Sequence, residues 1–526
     1  MADDAALLKS VHKALINFDK RAERASDTIL AATFVDSEPL YDLLSTRNNQ
    51  VIYGRRGTGK THALKYLAEQ VHNEKNGAVY VDLRSVGSNG SIYADESKPL
   101  AERASTLIVD VLSALFEELQ TAAIERIDEV PDAQQVTTRI DDLRSAISSV
   151  RIVGNVDISS KASDTTTKDA QGELKLDIVS ALTGGLGATG KVARTVAAAS
   201  DSERRESGVE RIHLDFGNIS GSVRSLIQVL GFDRLWLLID EWSEIPIALQ
   251  PYLADLFRRT LLPVPEVTVK IASIEHRSDF AILGERGEYV GIELGADMAA
   301  DLNLDHYMVF DNNQDKATEF FKNLLFKHYV HADGAAPEID SAEALVAILF
   351  TQITAFQEFV RAVEGVPRDA LNLAAVVSTS AYGKKVSVSD VRSAARDWYQ
   401  QDKAAVIRNN PELNRVLNLV IDEVIGNRRA RAFLFPSNSR EILIEKLFDA
   451  RLIHLLKRNI SAQDEPGVRY DVYKVDYGCY VELITTTKAP MSLFFANDDE
   501  IVEVPKDDYR SIRRAILRPE DLAGAA

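Results

Sequence analysis

The chain has almost no cysteine, because Cys479 is the single thiol in 526 residues. An internal disulfide is therefore excluded, which indicates a reducing compartment. The start, MADDAALLKS, lacks the basic region and apolar run of a signal peptide. No uncharged apolar run reaches the roughly eighteen residues that a transmembrane helix needs. We therefore expect a cytoplasmic protein with no membrane partner.

Positive charge is also in short supply. Lysine and arginine number 61 against 79 aspartates and glutamates, which gives a formal net charge of −18. Such a chain repels nucleic acid at long range, so DNA binding would require local basic patches. Hydrophobic residues make up 45% of the chain, enough for real cores. The length suits about three domains.

One short stretch carries a specific signal. In VIYGRRGTGKTHAL, residues 51–64, the glycines, Lys60 and Thr61 fit the phosphate-loop pattern G-x-x-x-x-G-K-[ST]. Glycines let backbone amides approach a triphosphate closely and lead into a helix N-terminus, which favours anions. Lys60 is predicted to reach the β and γ phosphates of ATP, and Thr61 to bind Mg²⁺. The predicted nucleotide-binding residues of this loop are Gly54, Arg56, Gly57, Thr58, Gly59, Lys60, Thr61 and His62.

The flanks of the loop agree with this interpretation. A short apolar strand, residues 51–53, precedes it, and apolar residues at helical spacing follow it. A second glycine–lysine run, GLGATGKV at 185–192, ends in Val192 and so lacks the hydroxyl for Mg²⁺. We interpret that run as a flexible or packing segment rather than a second nucleotide site.

An acidic pair provides the second half of a nucleotide site. In LWLLIDEW, a buried apolar strand ends in Asp240 and Glu241. Two acids at this place are costly unless they act on charge. Asp240 is predicted to face Mg²⁺ and Glu241 to polarise the attacking water.

The order of elements predicts the fold class. Strands at 78–83, 234–242 and 267–274 alternate with helices, which is typical of a parallel sheet covered on both faces. Residues 128–215 are rich in Asp, Ser, Thr and Ala and are interpreted as an insertion, with a small independent domain as the open alternative. From about residue 315 only helices are predicted, and a mixed α/β unit follows from about 411.

This order resembles that of an AAA+ ATPase. EGVPRDALNLAAVV, residues 364–377, resembles the sensor-2 segment of the origin-recognition/Cdc6-like branch, which is related to STAND ATPases, and residues 411–485 resemble its winged-helix domain. The resemblance implies an α/β P-loop NTPase sheet domain, a helical lid domain and a C-terminal winged-helix-like domain. The predicted domains are 1–45 (N-terminal helical segment), 46–312 (AAA+ domain with the insertion), 313–405 (lid) and 406–526 (winged-helix-like domain with a basic tail).

The resemblance also implies roles for individual residues. Arg368 would touch the γ-phosphate from the lid and join Lys60 and Glu241 as a catalytic residue. Sensor 1 would be Ser273 or Glu275, and the choice stays open. Phe34 and Val35 would line the adenine pocket. An arginine acting in trans on a neighbouring subunit's site would be Arg258, Arg259 or Arg277.

Two functions remain open for such a switch that binds ATP and Mg²⁺ and hydrolyses ATP. The first is a signalling or scaffold ATPase, in a homo-oligomer or in a hetero-complex with a separately encoded effector, with defence against phage as its setting. The alternative is a DNA-associated ATPase of the replication-initiator or transposition-regulator type. The predicted recognition helix, 439–450, has two basic residues against three acidic ones, which argues against DNA. The arginines within 428–431 and 510–518 are the candidate phosphate-binding clusters, with pairing to acids of this chain or of another subunit as the open alternative.

Overall fold

The computed structural model describes residues 2–18, 26–72, 76–86, 93, 95–147, 150–159, 192–197, 203–212, 214–284, 289–306, 313–427, 430–439, 441–461, 467–485 and 515–523. We call residues 26–306 the sheet domain, residues 313–403 the helical domain and residues from 404 onward the C-terminal module, in each case where described.

A five-stranded parallel sheet forms the centre of the sheet domain. In spatial order its strands are Ala299–Asn303, Gln50–Tyr53, Val267–Ser273, Leu235–Asp240 and Gly77–Asp82. All neighbouring strands pair in parallel, so their carboxyl ends meet at one edge. The two central apolar strands, Leu235–Asp240 and Val267–Ser273, are buried along their whole length, as expected for a sheet covered on both faces. The AAA+-like α/β fold class predicted from the sequence is thus confirmed.

Helices cover both faces of this sheet, and amphipathic spacing explains which side each one buries. The helix Lys60–His72 places Leu64 and Leu67 in a core with the N-terminal helices. The helices of this domain are Asp27–Thr33, Leu40–Leu44, Lys60–His72, Leu100–Glu125, Ala133–Ile147, Phe216–Val229 and Gln250–Thr260. A two-stranded antiparallel hairpin, Ala281–Leu283 with Tyr289–Gly291, packs beside the last of them.

The predicted insertion is only partly separate from the sheet domain. Its helix Ala133–Ile147 buries Val136, Ile140 and Leu143 in the main core. The strands Val150–Ser159, Glu203–Ile212 and Val192–Ala197 form an antiparallel sheet of their own. The composition of AAASDSERRESG, residues 197–208, predicts a loop or disordered stretch, and this is wrong where it overlaps the strand Glu203–Ile212. Most of the second glycine–lysine run lies outside the described residues.

The helical domain consists of Gln314–Val330, Ala342–Leu349, Ile353–Ala362, Pro367–Ser380 and Val388–Trp398, and continues as a π-helix over Tyr399–Lys403. The first helix of the chain, Ala2–Ile16, buries Val11 and Leu15 in the same core. The N-terminal segment is therefore divided, because this helix joins the helical domain while Asp27–Thr33 and Leu40–Leu44 lie on the sheet domain.

The C-terminal module combines a three-stranded antiparallel sheet with helices, as in a winged-helix fold. Its strands lie in the order Ala432–Pro436, Arg469–Val475 and Ile453–Ser461. Its helices are Ala404–Arg408, Pro411–Val420, Ile442–Asp449, Tyr477–Thr485 and Pro519–Ala523, with a π-helix over Ile421–Asn427.

One local expectation for this module is wrong. The extended, aromatic-rich sequence RYDVYKVDYGCYVEL, residues 469–483, predicts a β-hairpin, but only its first half, Arg469–Val475, is a strand. Asp476 ends the strand, and its Oδ1 accepts hydrogen bonds from the backbone amides of Gly478 and Cys479. Such a side chain satisfies free amides at a helix start, so the chain turns into the helix Tyr477–Thr485.

Candidate nucleotide-binding site

The loop after the strand Gln50–Tyr53 has the backbone that its glycines predict. Gly57 and Gly59 have φ angles of +93° and +95°, in the left-handed region that side chains rarely tolerate. A Cβ atom added at Gly54 would lie 2.5 Å from Oγ1 of Thr58. The amide of Ala63 then donates to the carbonyl of Gly59 over 2.8 Å and begins the helix. Glycines at 54, 57 and 59 are therefore required by geometry, and they leave a concavity at a helix N-terminus.

Lys60 lies inside this concavity. Its Nζ donates to the carbonyl oxygens of Gly54, over 2.6 Å, and Arg55, over 3.3 Å. Burial lowers the pKa of Lys60, and the nearby carboxylates of Asp240 and Glu241 oppose that effect. A buried cation beside a glycine cradle fits a phosphate group.

Asp240 and Thr61 come together at the edge of the sheet. Thr61 Oγ1 donates to Asp240 Oδ2 over 2.7 Å, and the hydroxyl of Tyr80, on the neighbouring strand, donates to the same oxygen over 2.8 Å. A hydroxyl and a buried carboxylate are oxygen ligands of the kind that Mg²⁺ prefers, with substrate phosphates and waters as the remaining ligands. These side chains therefore fit a phosphate-bound Mg²⁺. Tyr80 was not predicted, because nothing in the local sequence links it to Asp240.

Glu241 has an unusual backbone for a non-glycine residue. Its φ is +55°, and its amide donates to Asp240 Oδ1 over 2.8 Å. This conformation costs on the order of 1–3 kcal/mol, and such strain clusters at functional sites. Burial, and then the charge of Asp240, raises the pKa of the Glu241 carboxyl. Arg84, which the sequence did not single out, lies 3.6 Å from this carboxylate.

Arg368 begins the helix Pro367–Ser380 directly against the loop. Its amide donates to the carbonyl of Gly57 over 3.2 Å, and a Cβ added at Gly57 would lie 3.0 Å from Cβ of Arg368. The structure thus brings the predicted lid arginine to the phosphate loop.

A cavity of about 800 Å³ opens on this side of the loop. Five cationic side chains line it, against Asp402 and Asp449 as acids. The cations are Arg56, Arg277, Arg368, Lys446 and Arg451. Three of these cations pair with acids, Arg56 with Glu244, Arg277 with Asp449 and Arg451 with Asp369.

The two sensor 1 candidates occupy different surroundings. Ser273 is buried, and its Oγ lies 3.1 Å from Oγ of Ser243. Glu275 instead accepts two hydrogen bonds from Arg458 of the C-terminal module, over 2.5 and 2.6 Å, and one from Asn303 over 3.0 Å. Ser273 therefore belongs to the sheet domain alone, whereas Glu275 joins two domains.

The three trans-arginine candidates all have partners within the chain. Arg258 and Arg259 both pair with Asp255 over 2.6 Å. Arg277 pairs with Asp449 over 2.6 Å. Their action on a neighbouring subunit stays a prediction.

Phe34, expected at the adenine, lies where three segments meet. Its ring stacks on Tyr66 with a centroid distance of 4.0 Å and meets the ring of His62 edge-on at 5.5 Å. Its carbonyl accepts a hydrogen bond from Lys327 of the helical domain over 2.6 Å. Val35 packs against the core of that domain. Burial lowers the pKa of His62, so its ring is neutral in this apolar setting.

The remaining predicted loop residues have clear partners. Arg56 is 53% exposed and pairs with Glu244, while Thr58 Oγ1 donates to the carbonyl of Arg55 over 2.9 Å. Arg56 therefore extends outward from the loop, and Thr58 closes it.

The candidate DNA-reading helix, Ile442–Asp449, faces the sheet domain. Asp449 pairs with Arg277, Glu445 lies 3.6 Å from His276, and the Phe448 ring meets that imidazole edge-on at 5.5 Å. Its acids, which argued against DNA, thus serve an intramolecular contact.

The predicted arginine clusters are only partly described. Arg431 is nearly buried and pairs with Glu364, which agrees with the alternative that this cluster pairs with acids of its own chain. Arg428, Arg429, Arg510, Arg513 and Arg514 lie outside the described residues. The described end of the tail buries Ala515 and Leu517 and forms the helix Pro519–Ala523, which has two acids in its first turn.

Comparisons with known proteins agree with the predicted resemblance. Residues 17–89 match the model of the family described as ORC-CDC6-like, which confirms the resemblance to origin-recognition/Cdc6-like proteins over the phosphate-loop segment. No curated protein gives a significant match. A solved structure of the ORC1 protein of Aeropyrum pernix in complex with DNA is similar at 13% sequence identity and a TM-score of 0.31, over 85% of this chain and 90% of that one. Among the described residues no helix is long and apolar enough to cross a membrane.

Proposed function

We propose that this chain is an ATPase that binds ATP with Mg²⁺ at the loop 54–61 and hydrolyses it to ADP and phosphate. The observation that supports it best is the 2.7 Å hydrogen bond between Thr61 and Asp240. It joins two motifs that lie 179 residues apart in sequence. The match of residues 17–89 to ORC-CDC6-like proteins supports the same proposal.

The residues divide the work by position. The loop amides and Lys60 hold the β and γ phosphates, and Thr61 and Asp240 hold Mg²⁺, which neutralises phosphate charge when bound. Glu241 orients the attacking water and takes its proton as the oxygen bonds to the γ-phosphorus. The bond from that phosphorus to the β–γ bridging oxygen breaks, and its electron pair leaves with ADP. Arg368 stabilises the charge that develops on the transferred phosphoryl group.

An ATP titration tests the proposal. Replacing Lys60 by Met keeps the length of the side chain but removes its charge. A charge-assisted hydrogen bond contributes about 1.5–3 kcal/mol, so the affinity for fluorescent ATP with Mg²⁺ should fall about 10- to 150-fold. Lys98→Met, which removes a half-buried charge that pairs with Glu102 outside the loop, is the control. Equal affinity in wild type and Lys60→Met would overturn the site assignment.

For the wider role, we favour a DNA-associated ATPase of the initiator or regulator type. The resemblance to ORC-CDC6-like proteins supports it over the signalling hypothesis. A signalling or scaffold ATPase with a separate effector remains the second candidate. The net charge of −18 and the helix Ile442–Asp449, which faces the sheet domain, support that candidate.

Duplex binding with ATP present separates the two candidates. A DNA-associated protein should bind with an affinity that falls linearly on a log–log plot against salt, because each phosphate contact releases counterions. Arg428→Ala with Arg429→Ala should then flatten the slope by about two units, one per lost contact. If the wild-type protein does not bind duplex DNA at low salt, the signalling or scaffold ATPase is the candidate that remains.

A further inference from the structure

Two adjacent arginines in the phosphate loop have opposite environments. Arg56 is 53% exposed, whereas Arg55 is 3% exposed. Burying a guanidinium is costly unless its donors are satisfied. The partners of Arg55 therefore show what fixes this part of the loop.

The first partner is Asp305, which follows the edge strand Ala299–Asn303. The backbone amide of Arg55 donates to its Oδ2 over 2.9 Å, and Nε donates to Oδ1 over 2.7 Å. Asp305 is itself nearly buried, and its amide donates to Asn303 Oδ1 over 3.0 Å. One carboxylate thus holds both the main chain and the side chain of Arg55.

The guanidinium also contacts the C-terminal module. Nη1 donates to the carbonyl of Ile453 over 3.3 Å, and Cζ lies 4.8 Å above the ring centre of Phe448. Phe448 and Ile453 are both buried, one in the helix Ile442–Asp449 and the other in the strand that follows it. A cation over an aromatic ring is most stabilising when water is excluded, as it is here.

The same residue also shapes the loop that faces the phosphates. The carbonyl of Arg55 accepts hydrogen bonds from Thr58 Oγ1, over 2.9 Å, and from Lys60 Nζ, over 3.3 Å. A shift of Arg55 would therefore move the acceptor on which Lys60 and Thr58 rest.

We infer that Arg55 is a positioning residue that makes the geometry of the phosphate loop depend on docking of the C-terminal module. The inference rests on the proposed ATP site. Because coupling between two events is reciprocal, ATP should stabilise the docked module by the same factor by which docking raises the affinity for ATP.

Two variants approach this contact from opposite sides. Arg55→Met removes the guanidinium, and we expect the affinity for ATP to fall about 5- to 150-fold, the usual range of a coupling between sites. Phe448→Leu keeps an apolar side chain in the C-terminal module but removes the ring, and we expect a loss of about 2- to 5-fold. In the Arg55→Met background, Phe448→Leu should change the ATP affinity no further, because the two residues share one interaction.

The control is Arg469→Met in the same module. Arg469 also donates to a main-chain carbonyl, that of Asn459, but it is exposed. Its replacement should leave the ATP affinity unchanged.

Hydrogen exchange of the full-length protein distinguishes positioning from mere stability. With ATP, the backbone amides of residues 452–456 should exchange more slowly in wild type and in Arg469→Met, but not in Arg55→Met. If Arg55→Met does not fold, a weaker ATP effect in Phe448→Leu is the supporting result. The inference is overturned if ATP slows exchange equally in wild type and in Phe448→Leu and if the two proteins bind ATP with equal affinity. The proposed ATP site is not affected by that result. A wild type that binds no ATP overturns the proposed function first.

Discussion

Two regions of the described structure, the phosphate loop with its acidic strand end and the contact between the helical domain and the C-terminal module, satisfy buried charges in different ways. At the phosphate loop, Lys60 rests on carbonyl oxygens and Asp240 on hydroxyls. Between the helical domain and the C-terminal module, Asp369 lies 3.2 Å from Lys403 and also pairs with Arg451. The first arrangement leaves full charges near neutral dipoles, and the second places opposite charges in contact.

The difference follows from what each region must do. In a buried ion pair, each charge is satisfied by its partner. The ion pairs between the helical domain and the C-terminal module therefore stabilise the docked arrangement of these two parts once the ions are desolvated. A charge that rests on weak neutral partners can exchange them for a stronger ionic ligand. The interface includes the turn before Arg368, because Glu364 pairs with Arg431 and with Lys474. The turn that precedes the lid arginine is therefore held in place by ion pairs, and the amide of Arg368 itself contacts the phosphate loop.

The largest expected effect concerns the catalytic carboxylate of Glu241 at the phosphate loop. Glu241→Gln keeps the size and polarity of the side chain but loses the base. Turnover should fall about 10²- to 10⁴-fold, the usual contribution of a general base, while ATP still binds. Steady-state hydrolysis measured beside an ATP titration checks both parts. Unchanged turnover would show that another group activates the water.

The next largest effect concerns the ion pairs between the helical domain and the C-terminal module. Lys403→Met should leave Asp476 without its lysine partner and Asp369 with Arg451 alone, both in a buried place. Breaking a buried pair typically lowers the free energy of unfolding by about 3–5 kcal/mol. Chemical denaturation measures this loss. The control Arg139→Met, at an exposed pair with Asp142, should cost less than about 1 kcal/mol.

If Lys403→Met lowers stability but leaves ATP binding unchanged, the buried ion pairs and the nucleotide site have separate roles. If Lys403→Met also abolished ATP binding under conditions where the protein remains folded, the interface network would be part of the nucleotide site.

A smaller effect concerns pH. Burial raises the pKa of Glu241, and the carboxylate must be ionised to accept a proton. Turnover should therefore fall as pH falls through a pKa above the ordinary glutamate value of about 4.3. Because folding raises this pKa, ionised Glu241 also lowers stability above it, so Glu241→Gln should gain stability at neutral pH. A pH–rate profile whose acid limb persists in Glu241→Gln would assign that limb to another group.

The smallest expected effect concerns the helix Ile442–Asp449 of the C-terminal module. Lys446 is exposed on Ile442–Asp449, whose other side faces the sheet domain. If this helix does not contact DNA, Lys446→Ala should leave the slope of log affinity against log salt unchanged. A phosphate contact would instead flatten the slope by about 0.9. Such flattening would mean that the helix leaves its intramolecular contact when DNA binds.

Much of the nucleotide site was predictable because its signals are local. The left-handed glycines, the helix after them and the strand that ends in Asp240 are consequences of residues next to one another in sequence. The strand predicted from local sequence is wrong at 477–485, where apolar and aromatic residues suit a strand or a helix equally. The side chain of Asp476 decided for the helix by accepting the first free amides.

The sequence by itself determined the phosphate loop, the acidic strand end and the alternation that gives a parallel sheet, because spacing and backbone preference act over a few residues. Only the tertiary structure decided that Tyr80 contacts Asp240, that Arg431 pairs with Glu364, and that Arg55 differs from Arg56. The partners of a charged side chain can lie hundreds of residues away, as Ile453 does from Arg55. A charge looks the same in sequence whether it meets solvent, a phosphate or a buried ion, and only packing brings its partner within reach.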